Sequence, residues 1–133
     1  MGLSKKITTN TADIWMDDEG IVHLRMKKGA KVDLREIEAH YNIYRKLGCQ
    51  KHKTLHLFEG GYFFTFDNEA MRYAGKHSRN LFLASAIVNN SLAVRLLVDF
   101  FNLFFNNSFT FKMFNTKGQA LEWLRSFKEK EKS

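Results

Sequence analysis

The sequence predicts an α/β fold in which a mostly parallel sheet carries an N-terminal hairpin and four helices. Strand-like and helix-like segments alternate along the chain, and two segments with alternating apolar and polar residues precede them. A length of 133 residues suits a single domain with one core. Because a strand–helix–strand alternation implies right-handed crossovers, we expect parallel pairing, with the hairpin adding an antiparallel strand.

The N-terminal hairpin is predicted over residues 12–27. The segments ADIWMD and IVHLRMK alternate in polarity, and Gly20 between them can adopt the left-handed conformation that a tight turn requires. We expect residues 1–10 to be flexible, residues 11–128 to form the domain and residues 129–133 to be a charged tail.

Capping residues and apolar periodicity mark the four helices. The predicted N-caps are Asp33, Asp67, Asn90 or Ser91, and Thr116. Glu36 and Gln119 stand in capping-box positions of the first and last helix. The first helix presents Tyr41 and Tyr44 on its apolar face and ends at Gly48, and the second extends to about residue 77.

The remaining strands are predicted from apolar runs. Residues 54–58 and 109–114 are expected to be strands, and the continuous apolar run 81–88 is typical of a central strand covered on both faces. The run YFFTF at 62–66 either extends the sheet or lies as an apolar loop over it.

The third helix, predicted over residues 92–105, is unusually apolar. Its polar positions fall in a stripe about 80° wide, so roughly three-quarters of its circumference is apolar. One side can pack on the sheet, and the rest requires a neighbouring helix, a second copy of the chain or an apolar ligand. The candidate interface or ligand-contacting residues are Phe100, Phe101, Phe104 and Phe105.

The C-terminal third carries a family resemblance. The run LFLASAIVNNSLAVRLLVDFFNLFFNNSFTFKMFNTKGQALEWL resembles bacterial proteins with the SpoIIAA-like, or STAS-like, fold. Those proteins often end with a strand, a phenylalanine, a short polar turn and an Ala-Leu-x-Trp-Leu helix, as at Phe114 and residues 120–124 here. The element order agrees from residue 12 onward. Because the shared residues are mainly core residues, the resemblance implies the fold more strongly than a function.

The resemblance also implies what a regulatory site would contain. STAS domains carry a phosphorylatable serine directly after an aspartate, at the start of a helix. Here Asp67 matches the aspartate, but Asn68 stands in place of the serine and has no hydroxyl to modify. We therefore expect a regulatory binding module that lacks the phosphorylation switch.

Charge and cysteine content limit the partners and the compartment. The net charge is +7, but its basic residues are scattered and no nucleic-acid-reading motif accompanies them, which favours a protein partner or a homodimer over nucleic acid. The lone Cys49, the absence of an apolar N-terminal run and the shortness of the longest apolar stretch predict a cytoplasmic protein without a membrane span.

No arrangement in the sequence predicts catalysis or a bound metal. Cys49, His52 and His56 have ligand-like spacing, yet they fall partly in a loop and partly inside a strand, so we expect no metal and no cofactor. Ser85 lies within a strand, and no serine has a nucleophile-elbow motif. We expect a protein that is not an enzyme.

A polar ligand or peptide would be expected at the carboxyl ends of the parallel strands, beside helix N-termini. The candidate binding residues there are Tyr62, Asp67, Asn68, Asn89 and Asn90. Several of these also serve as ordinary helix caps. Three functional hypotheses remain. The first is a regulatory, self-associating module, and the second is a small carrier or sensor of an apolar ligand that uses the third helix. The third, less favoured, is a binder of an acidic surface such as nucleic acid or an anionic membrane.

Overall fold

The computed structural model describes residues 5–60, 64–89, 91, 92, 94–96, 98, 99 and 110–132. The strands are β1 (Ile7–Thr8), β2 (Ala12–Met16), β3 (Ile21–Met26), β4 (Lys31–Val32), β5 (Thr54–Glu59), β6 (Thr65–Phe66), β7 (Phe82–Val88) and β8 (Thr110–Phe114). The helices are α1 (Leu34–Lys46), α2 (Asn68–Leu81) and α3 (Lys117–Lys132). The described residues between 92 and 99 are also helical, and we refer to them as the 92–99 segment.

The strands confirm the predicted mixed, mostly parallel sheet. Six strands form one sheet in the order β1-β2-β3-β5-β7-β8, and β4 pairs with β6 in a separate two-stranded sheet. The β2–β3 hairpin and the β1–β2 pair are antiparallel, whereas β3–β5, β5–β7 and β7–β8 are parallel. The apolar run predicted to be a central strand is β7, which lies between β5 and β8.

Side chains at alternate positions along the strands form two separate cores, one on each face of the sheet. On one face, which we call the α1–α2 face, Ile14, Val22 and Leu24 pack with helical residues such as Ile37 and Tyr44. On the other, the α3 face, Ile21, Leu55, Leu57, Ala84 and Ala86 pack with Ala120 and Leu124. Helices on both faces explain why β7 is almost continuously apolar.

The helix ends form largely as predicted. The Asp33 carboxylate accepts a hydrogen bond from the Glu36 backbone N–H at 2.9 Å, and Asp67 accepts one from Ala70 at 2.9 Å. Gly48, with φ of 96°, follows the end of α1 in the left-handed conformation. The Glu36 side chain does not complete the predicted capping box, because it accepts the Thr11 hydroxyl at 2.9 Å and so ties α1 to the start of β2.

Several short elements differ from the predictions. Two residues of the segment expected to be a flexible terminus form β1, and α3 continues to Lys132 through residues expected to be a tail. Helix α2 ends at Leu81, four residues beyond the predicted end. The ambiguous YFFTF run contributes β6, which pairs with β4 and not with the main sheet. Two-residue strands carry no periodicity that a sequence pattern could reveal.

The described part of the third predicted helix has one buried and one exposed side. Ser91 caps it, because its hydroxyl accepts the Val94 N–H at 3.1 Å. Val98 is buried, whereas Leu92 and Leu96 are 71% and 61% exposed. The apolar surface that was expected to be covered is thus partly open in the single chain. The candidates Phe100, Phe101, Phe104 and Phe105 lie outside the described residues.

Replacing Leu124 with alanine tests the packing of α3. The side chain is fully buried against the sheet, so we expect Leu124→Ala to lower the free energy of unfolding by about 2–5 kcal/mol. The matched control is Leu92→Ala, at an exposed leucine, which should change it by less than about 0.5 kcal/mol. Urea unfolding at low protein concentration measures both, and equal losses would contradict this placement of α3.

Candidate functional site

A cavity of about 90 Å³ lies between the α1–α2 face of the sheet, the two helices α1 and α2, and the 92–99 segment. Protein interiors seldom hold voids larger than a water molecule, so a cavity of this size is a feature to explain. Its described lining residues are Leu24, Ile37, His40, Tyr41, Tyr44, His56, Phe58, Phe64, Phe66, Ala74, Ser78, Ser85, Ile87, Val94, Val98 and Phe111.

Three phenylalanine rings form a continuous part of the wall. The ring centroids of Phe58, Phe64 and Phe66 lie 5.6–6.2 Å apart, in tilted and edge-to-face arrangements. The β4–β6 pair fixes the segment that carries two of them, through backbone bonds such as Thr65 N–H to Ala30 at 2.9 Å. The short second sheet therefore positions an aromatic wall.

Gly60 permits this packing by having no side chain. A Cβ atom at residue 60 would lie 2.5 Å from the Cε1 atom of Phe64 and 3.1 Å from that of Phe58. Both distances are shorter than ordinary van der Waals contact, so any larger residue would displace rings in the wall.

A chain of three hydrogen-bonded side chains crosses the cavity wall from α1 to β7. The Tyr44 hydroxyl lies 3.0 Å from His56 Nε2, and His56 Nδ1 lies 2.7 Å from the Ser85 hydroxyl. The imidazole also stacks on Phe82, with centroids 4.3 Å apart. Complete burial lowers the pKa of His56 to about 3 and raises the pKa of Tyr44 well above its ordinary value.

A second buried pair joins the two helices. The hydroxyls of Tyr41 on α1 and Ser78 on α2 lie 2.6 Å apart. Burial raises the pKa of Tyr41, which remains protonated at neutral pH. The pair satisfies two polar groups in an otherwise apolar contact between the helices, where an unpaired hydroxyl would cost about 1–3 kcal/mol.

His40 is a further polar side chain of the wall, and only one of its two ring nitrogens has a hydrogen-bond partner among the described residues. Its Nε2 atom lies 2.6 Å from the Thr11 hydroxyl, whereas its buried Nδ1 has no hydrogen-bond partner among the described residues. Burial lowers the pKa of His40 to about 4, although the nearby Glu36 carboxylate opposes this shift. The imidazole is therefore neutral at pH 7.

The part of the wall formed by described residues is uncharged at neutral pH. Its described residues include no lysine, arginine, aspartate or glutamate, and both histidines have depressed pKa values. A charged ligand group would lose its hydration here without gaining a counter-charge. The arrangement suits an apolar, neutral molecule.

The Ser85–His56 pair resembles the first two members of a hydrolytic triad but lacks other requirements of one. A serine nucleophile needs a base of suitable pKa and a group that orients that base. The pKa of His56, about 3, makes it a weak base, and its other nitrogen contacts the neutral Tyr44 hydroxyl instead of a carboxylate. The geometry fits a structural hydrogen-bond chain better than a catalytic one.

The site residues predicted at the strand ends have structural roles where they are described. Asp67 caps α2, and Asn68, which begins that helix, is exposed. Asn89 is buried, donates to the Gly60 carbonyl and accepts the Ser91 N–H at 2.6 Å. Tyr62 and Asn90 lie outside the described residues. Binding at this edge stays a prediction.

The cysteine and histidines with ligand-like spacing are separated in the fold. Cys49 is buried, and its thiol lies 3.3 Å from the Thr54 hydroxyl, whereas His52 is exposed and His56 is in the cavity wall. Burial raises the pKa of the Cys49 thiol. Within the described ranges, no three histidine, cysteine, aspartate or glutamate side chains are grouped so that they could hold a metal ion.

The polar wall of the cavity was not identified from the sequence. A signal was present in α1, where His40, Tyr41 and Tyr44 share the buried side of the helix. Ser85 gave a second signal, as the one hydroxyl side chain in an otherwise apolar run. Neither signal shows that these side chains meet, because their partners come from different elements.

Comparison with known proteins identifies the class of fold. The chain is similar to the crystal structure of an uncharacterised protein of the DUF3478 family with a SpoIIAA-like fold, from Shewanella loihica PV-4. The TM-score is 0.59 at 16% identity, over 92% of this chain and 93% of that one. The protein thus has a SpoIIAA-like fold, as its C-terminal sequence suggested.

The family assignment is more specific. Residues 14–128 match the family described as Domain of unknown function (DUF7793), and the chain belongs to that family. None of the curated proteins matches the chain. Across the parts of the chain that are described, we find no helix with the length and apolar character needed to cross a bilayer.

The two buried histidines predict a loss of stability in mild acid. Unfolded imidazoles bind protons below about pH 6.5, but folded His40 and His56 do so only near pH 4 and pH 3. The free energy of unfolding should therefore fall as the pH drops from about 6.5 towards 4, by up to about 1.4 kcal/mol per pH unit for each histidine.

Urea unfolding at several pH values measures this slope. In His56→Gln, the free energy of unfolding should fall less steeply with decreasing pH, because only His40 still contributes. In His52→Gln, at an exposed position, the pH dependence should be the same as in the unmodified protein. An unchanged slope in His56→Gln would show that the buried imidazole is not kept neutral by the fold.

Proposed function

We propose that the protein is a non-catalytic binding module that holds a small apolar ligand in the cavity between the α1–α2 face, the two helices and the 92–99 segment. The observation that carries this proposal is about 90 Å³ of space whose described wall is uncharged, with half of its residues aromatic. The 92–99 segment contributes Val94 and Val98 to that wall, which agrees with a carrier or sensor that uses the third helix.

The apolar character of the wall supports a ligand. The cavity is partly open to solvent, and an apolar molecule that displaces water from the wall is favoured by the hydrophobic effect. Contacts with the rings of Phe58, Phe64 and Phe66 would add to this gain. Apolar cavities of about 150 Å³ take up benzene, so a cavity of about 90 Å³ would have to expand by about two-thirds to hold a small ring compound.

The protein-level role that we propose is regulatory or carrier-like, in the cytoplasm. The SpoIIAA-like fold agrees with a binding role, and Asn68 in place of a serine argues against control by phosphorylation. The buried, lone Cys49 agrees with a reducing compartment. The weakly basic His56 supports a role without catalysis.

Filling the cavity tests the proposal. Ala74 lies in the wall, so Ala74→Leu should occupy the space, raise the free energy of unfolding by about 0.5–2 kcal/mol and abolish binding of fluorobenzene. The measurements are urea unfolding and ¹⁹F NMR titration with fluorobenzene, which the unmodified protein should bind.

The matched control is Ala39→Leu, on α1 but outside the cavity wall. It should leave fluorobenzene binding unchanged. Absence of fluorobenzene binding to the unmodified chain, or equal binding by Ala74→Leu, would refute the proposal.

A second candidate function is a regulatory module that acts through self-association. Leu92 and Leu96 lie one helical turn apart and are 71% and 61% exposed, which is unusual for large apolar side chains on adjacent turns. A second copy of the chain packed on this side would cover them.

Sedimentation equilibrium distinguishes this candidate. If the surface is an interface, the protein should dimerise at micromolar concentration, and the double variant Leu92→Asp/Leu96→Asp should be monomeric with its fold retained by circular dichroism. Arg95→Asp, at an exposed position between the two leucines, provides a charge-matched control. A monomer at every concentration would exclude the candidate.

A further inference from the structure

We propose that a basic surface, formed by the end of α1, the loop that follows it and α2, binds the phosphate backbone of double-stranded nucleic acid without reading its sequence. This basic surface consists of Arg45, Lys46, Lys51, Lys53, Arg72, Lys76 and Arg79. None of these residues belongs to the described wall of the cavity, so the inference is independent of the proposed ligand.

The fold gathers basic residues that are dispersed in the sequence. Helices α1 and α2 are direct neighbours, and the Arg45 guanidinium donates to the Tyr73 hydroxyl at 3.2 Å. The loop after α1 and the end of α2 lead into adjacent strands, where Thr54 pairs with Phe82. Cations from three separate stretches of the chain therefore share one side of the protein.

The three cations of α2 form a regular stripe. Arg72, Lys76 and Arg79 are spaced four and three residues apart, which places them on one face of the helix, and all three are exposed. At a rise of about 1.5 Å per residue the stripe is about 10 Å long. One strand of a DNA duplex carries a charge about every 3.4 Å along the axis, so a stripe of this length passes about three phosphates.

The basic surface holds the whole net charge of the protein. Of the 21 lysines and arginines, seven lie in this surface, and the other fourteen are matched by the 14 aspartates and glutamates of the chain, which gives the net charge of +7. Residues 39–58 and 70–98 contain no aspartate or glutamate. Among the described residues, no ion pair involves a cation of the basic surface.

The neighbourhood of His77 shows the effect of this charge. Its pKa is lowered, first by partial burial and then by the positive charges of Arg45 and Lys76. The two cations come from different helices and act on the same imidazole. A positive potential therefore extends across the junction of α1 and α2.

Helix capping explains only part of the basic surface. Arg45 and Lys46 in the last turn of α1, and Arg79 in the last turn of α2, interact favourably with the helix dipoles. The remaining four cations lie outside the last turns, and all four are exposed. An arrangement without acidic residues keeps these charges in mutual repulsion, which a polyanion would relieve.

The side chains near the cations favour duplex nucleic acid over other polyanions. Basic segments that bind membranes usually insert apolar side chains, but the large apolar side chains exposed among the described residues are Leu92 and Leu96, on the 92–99 segment. Single strands bind on open aromatic rings, whereas Tyr73 and His77 are half-buried and pack on each other with centroids 4.2 Å apart. Contacts to phosphates alone carry no sequence information.

A fluorescently labelled DNA duplex of 20 base pairs tests the proposal by anisotropy. We expect the unmodified protein to bind it at 50 mM salt, and to bind a duplex of unrelated sequence with the same affinity within about twofold. The logarithm of the association constant should fall linearly with the logarithm of the salt concentration, with a slope of up to about −6 for seven phosphate contacts. Absence of binding at 50 mM salt would refute the proposal.

Two triple variants of equal charge separate the basic surface from net charge. Arg72→Gln/Lys76→Gln/Arg79→Gln should weaken duplex binding about tenfold or more at 50 mM salt and make the salt slope less steep by about 2.7. The control is Lys28→Gln/Lys31→Gln/Arg35→Gln, at exposed positions outside the surface, which should leave the slope unchanged. Circular dichroism checks that both retain the fold. Equal losses in the two variants would show a general charge effect and overturn the assignment.

Two other polyanions test the class of partner. Vesicles of phosphatidylcholine and phosphatidylserine in a 7:3 ratio should bind less tightly than the duplex at equal negative charge, and poly-glutamate should displace the duplex poorly. Equally tight vesicle binding that is lost in the α2 variant would identify a membrane surface as the partner. Efficient displacement by poly-glutamate would identify an acidic protein, and either result would overturn the proposal.

A measurement on the unmodified protein keeps the test decisive if a variant fails to fold. Bound phosphates should offset the charges of Arg45 and Lys76, so the pKa of His77 should rise when the duplex is added. The imidazole proton resonances, followed by NMR between pH 5 and pH 8 with and without the duplex, measure this change. A pKa of His77 that is the same in both conditions would refute binding at the basic surface.

Discussion

The structure depends on keeping a set of buried polar side chains uncharged and hydrogen bonded beside an apolar cavity. The Tyr44–His56–Ser85 chain ties α1 to the centre of the sheet, and the Tyr41–Ser78 pair ties α1 to α2. Burial keeps the imidazole of His56 neutral and the phenol of Tyr44 protonated at neutral pH, so no charge is placed in the apolar surroundings of these bonds. The same neutrality determines what the cavity can accept, so one physical condition governs both the stability of this face and its chemistry.

Much of the fold could be predicted from the sequence because its main signals are local. The hairpin, three helices with defined caps and the central strand β7 follow from periodicity and from caps such as Asp33 and Asp67. The short strands β1, β4 and β6 could not be predicted, since two residues carry no period. Glu36 shows the limit of a local motif. It stands in a capping-box position, but its carboxylate accepts a hydrogen bond from Thr11, which is distant in sequence.

The candidate site was harder to predict for a related reason. The sequence predicted a site among polar residues at the strand ends. Asp67 and Asn89 do lie beside helix N-termini there, but the side chains of both form hydrogen bonds with backbone groups. The wall of the cavity joins residues from α1, α2, β5 and β7, and only the tertiary fold brings them together. The expectation that an apolar ligand could cover part of the third helix stays a prediction. Its candidate residues Phe100, Phe101, Phe104 and Phe105 lie outside the described residues, and it named none of the polar groups of the wall.

The contact between Gly60 and Phe64 offers a simple means of changing the shape of the cavity. Residue 60 lies behind the aromatic wall, and one added methyl group there would push Phe64 and Phe58 from their present positions. The shape of the cavity can thus be altered without substituting any residue of its described wall. A comparison of related chains restricted to wall residues would miss this effect, and redesign of the cavity could begin at this glycine.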